Sequence, residues 1–216
     1  MFEGFTPAAI DFLWGIRFNN NREWFREHKK EYETALYKPM VALGEAVDAK
    51  FHLEGTRLKA SRIYRDVRYA PTPYKEWLWF VIRDDSSFWS EHPSLFFQME
   101  PEGGSFGFID YAPKASLMAA HRRRMHEKPG EFAGIIEPIL ATGLVEDKST
   151  RYKRPKEGGT PEIDRWYQMK NCYVGANIPA GDELFDPNLP DRLVEAFQLL
   201  TPLYHYFKGL ESVVEA

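Results

Sequence analysis

Four cations surround one acid in the stretch SRIYRDVRYAPTPYKEW, Ser61 to Trp77: Arg62, Arg65, Arg68 and Lys75, with Asp66 the only acid before Glu76. Paired guanidinium groups grip phosphate or carboxylate through two parallel hydrogen bonds, and an ammonium adds a compact point charge. Read as a strand, the stretch alternates. Arg62, Tyr64, Asp66 and Arg68 share one face, and Ile63, Arg65, Val67 and Tyr69 the other. The first face suits an anion held between Arg62 and Arg68, with Asp66 orienting an arginine or acting as a base. Arg65 falls on the core face and is expected to have a structural partner, since a buried guanidinium needs one. Pro71 and Pro73 stiffen the connection to Tyr74, a hydroxyl donor, and Lys75.

Two further basic windows could feed the same site. Lys114–Lys128 carries five cations against Glu127, and Lys148–Lys156 carries five against none. With Arg57–Lys75 (six against Asp66), the three windows hold +14 in a chain of net charge −4, so the remainder carries −18. Convergence of the windows would give a positive cleft on an acidic body. Arg123 is the residue expected from the second window, and Arg154 or Lys156 from the third.

Competing chemistries are poorly supported. Cys172 is the single cysteine, so an internal disulfide and a Cys-rich zinc site are excluded, and a buried, inert thiol is expected. His121 and His126 are five apart and do not share a helix face, and the six histidines are expected at the surface. No metal site and no cofactor is expected. PEGGSFG lacks the lysine and hydroxyl residue of a phosphate loop and is expected to be a hairpin turn.

The elements that must position these residues follow from periodicity and caps. Pro7 to about Arg17 is expected as a helix. Asn21 should cap a second over REWFREHKKEYETALY, and Pro39 should open a third. RLKASRIYRDVRY is expected to be extended, WLWFVIRDD to be a strand covered on both faces, and PSLFFQMEPEGGSFGFIDYAP to be a hairpin turning at Gly103-Gly104. Helices are expected over Lys114–Glu127, Pro129 to Ala141 and Asp191 to Phe207, with a strand in YQMKNCYVGAN. The fold class is α+β, one domain over 1–216, with N-terminal helices and a C-terminal helix on a largely antiparallel sheet. The chain has 44% hydrophobic residues, no basic leader and no apolar run longer than WLWFVI, which implies a cytoplasmic protein without membrane association. Its net charge argues against a general nucleic-acid coat.

These residues resemble a bacterial family catalogued as domain of unknown function 2461. Its signature, Arg-x-x-Arg-Asp-x-Arg-Phe followed by Pro-Tyr-Lys, stands here as Arg62 to Tyr69 and Pro73-Tyr74-Lys75. FEGFTPAAIDFL, NNNREWFREHKKEYE, FFQMEPEGGSFG and RPKEG with YQMKN also match. Tyr69 replaces the family's Phe, and YAPTPYK is about two residues shorter and lacks one lysine. The resemblance implies the fold and the place of a site, but no activity. Three functions stand open: binding of, or catalysis on, an anionic small molecule; a non-catalytic module for an acidic protein or single-stranded nucleic acid; and a purely structural Arg/Asp network.

Overall fold

The computed structural model of the protein describes residues 1–66, 68–84 and 92–215. A six-stranded antiparallel sheet has the order β1-β2-β3-β4-β6-β5. Its strands are β1 Arg57–Ala60, β2 Leu78–Arg83, β3 Ser94–Glu100, β4 Gly103–Asp110, β5 Glu146–Asp147 and β6 Cys172–Pro179. The helices are α1 Pro7–Phe18, α2 Arg22–Glu31, α3 Lys38–Lys50, α4 Ala115–Glu127, α5 Pro129–Ala141, α6 Asp164–Tyr167, α7 Asp182–Phe185 and α8 Leu189–Glu215. The α+β expectation holds. No helix of the described residues is long and apolar enough to cross a membrane.

The chain divides into two compact units. The first comprises Met1–Ile82, Phe96–Phe106 and Asn177–Glu195, and the second Arg83–Leu95, Gly107–Ala176 and Ala196–Ala216. The first unit buries Phe12, Leu13, Ile16, Leu36, Met40, Phe80 and Phe97. The second buries Phe108, Phe132, Cys172, Phe197 and Phe207.

Local chemistry explains several boundaries. The Asn21 side chain caps α2, accepting from the N–H groups of Glu23 and Trp24. The expected break before Pro39 is absent: α2 passes through a π-helical segment, Tyr32–Tyr37, into α3. A proline has no N–H to donate and crowds the carbonyl four residues back, and a wider π turn accommodates both. The β3–β4 hairpin turns at Pro101-Glu102, not at the glycines, which are the first two residues of β4. Gly103 has φ +142, and a Cβ there would overlap the Ile178 carbonyl oxygen. The glycines therefore admit a neighbouring backbone rather than make the turn. Helix α8 begins at Leu189, absorbing Pro190 in its first turn, and runs through Pro202 well past the expected end.

Candidate functional site

The Arg62–Lys75 segment, in the first unit, is a pinned loop and not the extended strand expected from alternation. Beyond β1 one bridge pairs Tyr64 with Tyr74. It is flanked by Arg65 N–H to the Pro73 carbonyl (2.9 Å) and Lys75 N–H to the Ile63 carbonyl (2.7 Å). Pro71 and Pro73 have no N–H, so the ladder cannot extend. Val67 lies outside the described residues.

The expected faces survive only near the bridge. Ile63 is buried, while Arg62, Tyr64, Asp66, Arg68 and Tyr69 are exposed. Arg68 and Asp66 engage each other. Arg68 Nε donates to Asp66 Oδ1 at 2.9 Å and its terminal nitrogen to Oδ2 at 2.6 Å, while the Arg68 N–H donates to Oδ1. These bonds hold the Asp66 carboxyl below the usual range. Asp66 does orient an arginine, but the pair is at the surface. That position contradicts a purely structural network, which requires Asp66 to be buried. Arg65 is half-buried: it donates to Thr72 Oγ1 at 2.8 Å and lies over the Trp77 ring at 4.9 Å. Among the described residues, the Arg62 guanidinium has no hydrogen bond or ion pair. Lys75 Nζ donates to the Arg62 carbonyl at 2.7 Å and sits 5.9 Å from the Trp79 ring centroid. Burial, then the charge of Arg65, lowers the Lys75 pKa.

Tyr74 is an anchor. Its ring is 6% exposed and stacks on Phe25 at 4.1 Å. Its backbone is clipped by Asn20, whose Nδ2 donates to the Tyr74 carbonyl (3.0 Å) and whose Oδ1 accepts from the Tyr74 N–H (3.1 Å). Arg17 adds a second tie, pairing with Glu76 and Glu102. Sequence reasoning missed both: the asparagine run reads as a helix stop, and nothing local distinguishes Asn20 from its neighbours.

The other two basic windows belong to the second unit, and they meet. Arg122 lies over the rings of Tyr152 and Tyr167 (5.7 and 5.9 Å), and Lys156 over Tyr152 (4.8 Å). Successive helix positions point about 100° apart. Arg122 therefore faces this loop, Arg123 faces solvent near Glu127, and Arg124 pairs with Glu131 on α5. Arg122, rather than Arg123, and Lys156, one of the two residues expected from the third window, form the convergence; Arg154 is exposed. RPKEG and YQMKN meet too: Gln168 accepts from the Lys156 N–H and donates to its carbonyl, and the Tyr167 hydroxyl donates to the Glu157 carbonyl.

A partly buried charged cluster in the second unit escaped the sequence. Asp84 follows β2, His92 precedes β3, Asp110 ends β4, and Lys208 and Glu211 lie on α8. Lys208 donates to Asp84 and, at 2.7 Å, to Glu211 Oε2; Glu211 Oε1 is 2.8 Å from His92 Nδ1. Burial pulls the Lys208 ammonium down, but the two carboxylates outweigh it and hold its pKa above the usual value. Arg83 is buried, 4.0 Å from Asp84. Asp110 is fully buried with no hydrogen bond to either oxygen. Burial, reinforced by Glu211, pushes its carboxyl up to about 8. His92 and His121 are thus buried, against the expectation of surface histidines. Cys172 is buried as expected, and burial raises its thiol pKa. With Asp84 and Glu211 separated by 127 positions, no spacing rule could find this cluster.

The model of the family described as "conserved hypothetical protein (DUF2461)" matches residues 8–206, and the chain belongs to that family. No curated protein matches it.

Proposed function

We propose that the Arg62–Lys75 loop is a surface binding site for an anionic chain, in the first instance single-stranded nucleic acid. The observation that carries this reading is the openness of the loop. Arg62 is exposed without an ion partner among the described residues, and Tyr64 and Tyr69 stand beside it 52% and 85% exposed. Cations interleaved with exposed aromatic rings suit a strand whose phosphates are neutralised and whose bases stack. The loop is held in place by Asn20, Arg17 and the Tyr74–Phe25 stack, so little ordering entropy is lost on binding.

A second reading has its own support. Lys75, half-buried with a lowered pKa, suits a small phosphorylated or carboxylated molecule reaching in between Arg65 and Trp79. Fluorescence anisotropy with a labelled thymidine oligomer at two salt concentrations separates the two, run beside thermal shift with phosphorylated metabolites. Binding that weakens steeply with salt, and drops about tenfold in Arg62→Ala and Tyr64→Ala, is expected. A selective metabolite shift lost in Lys75→Met, with no oligomer binding at low salt, would overturn it in favour of the small anion. Capture of only a poly-glutamate peptide would assign the loop to an acidic protein.

A further inference from the structure

We propose that Asp84, His92 and Glu211 form a binding site for one divalent transition-metal cation of the manganese, iron or zinc class. The site is separate from the basic loop and does not depend on its function.

Three features of the second unit carry the inference. The first is reach. One donor atom from each of the three side chains lies within 4.8 Å of the others. Neighbouring ligands about 2.1 Å from a shared ion stand about 3.0–3.4 Å apart, so the side chains need to close by about 1–2 Å to share one. The second is the charge already held there. The Lys208 ammonium bridges Asp84 and Glu211, so the carboxylate pair already serves as a cation site. Lys208 is about one-third exposed and ends a flexible stem, so it can swing to solvent and yield the place to a metal. The buried guanidinium of Arg83 stays beside Asp84, so a loaded site avoids excess positive charge only if Lys208 leaves. Lys208 and the metal are therefore competitors.

The third feature is Asp110, an independent sign of a missing partner. On β4, Phe108 and Asp110 are two apart and share a face. Phe108 stacks on Phe207 of α8 at 5.6 Å, so that face is the one α8 covers. One helical turn beyond Phe207 lies Glu211. Asp110 thus lies on the side of the sheet that α8 covers, near enough to Glu211 for the two charges to act on each other. It is wholly buried, and neither oxygen has a hydrogen-bond donor. Buried carboxyl oxygens are nearly always satisfied. A cation beside Glu211 would supply what Asp110 lacks, as a fourth ligand or through a bound water. One imidazole with two or three carboxylates favours the manganese, iron or zinc class over calcium, which takes oxygen ligands, and over copper(I), which prefers sulfur.

The test uses the full chain freed of metal with EDTA, then titrated with manganese(II) chloride or zinc chloride by calorimetry. One ion per chain is expected. Lys208→Met should tighten binding about tenfold or more by removing the competitor, and His92→Ala should weaken it at least about tenfold. Glu211 is buried, so Glu211→Gln is accepted only if it melts cooperatively. Pulsed electron paramagnetic resonance on manganese-loaded wild type needs no variant: coupling to an imidazole nitrogen is expected, and it should vanish in His92→Ala. Binding weaker than millimolar in both wild type and Lys208→Met would overturn the proposal. So would tight binding with no nitrogen coupling, or binding indifferent to both Lys208→Met and His92→Ala.

Discussion

Asp66 and Asn20 separate display from support within the basic loop. Asp66 pairs with Arg68 in water, so the Asp66→Asn variant should melt within a degree or two of wild type in a thermal melt. Asn20 makes two hydrogen bonds to the partly buried backbone of Tyr74. Asn20→Ala should therefore cost about 1–3 kcal/mol and lower the melting temperature by about 2–10 °C. Equal melting temperatures for the two variants would contradict this division. The cations of the loop were legible because residue type and sign are written in the chain. The faces were less legible, because alternation assumes a continuous ladder and two prolines remove the N–H groups it needs. Asn20 was illegible: its role depends on a backbone more than fifty positions away, and asparagine beside a helix end has a simpler use as a stop or cap.

Among the elements, glycines mark where strands crowd rather than where they turn. At Gly103 the backbone has φ +142 and a Cβ would run into the Ile178 carbonyl of β6. Gly103→Ala should destabilise by about 2–4 kcal/mol, because the obstacle is backbone and cannot rotate aside. Gly55 also has positive φ, +75, but open space around its Cβ position. Gly55→Ala should cost only about 1 kcal/mol, the local strain alone. Chemical denaturation checks the contrast, and similar midpoints for the two variants would refute it. Helices α1 and α5 were legible because a proline opens each, and α4 because a Lys-Pro-Gly break marks its end. The continuous α2–α3 path was not, since a proline inside a helical pattern is the ordinary sign of a break, and here a π turn takes it up. The hairpin turn was misplaced for a similar reason: Gly-Gly is a strong turn signal unless a neighbouring strand needs the room.

Across the whole molecule, charge is segregated by burial as well as by sequence, and this sets the response to pH. His121 is fully buried, packed against Phe132 and Phe207 with Nδ1 3.0 Å from the Tyr206 hydroxyl. Burial, assisted by the neighbouring Arg122 charge and partly offset by a backbone contact at Trp166, lowers its pKa from 6.5 to about 4. A pKa that folding depresses contributes stability that is complete above the unfolded value and is lost as pH falls towards the folded one. The His121 contribution is therefore intact above pH 6.5 and fades between 6.5 and 4, by about 3 kcal/mol at most. Asp110 acts in the opposite direction. Its pKa is raised from 3.8 to about 8, so its contribution is complete below 3.8 and is lost as pH rises through 8. The two oppose each other over the same range, and the raw stability profile of the wild type mixes them. The difference between wild type and His121→Leu isolates the histidine. That difference should stay constant from pH 8 to 6.5, then shift steadily against the wild type down to pH 4. Denaturation midpoints that remain parallel from pH 7 to 4 would show that His121 is not held neutral by the core.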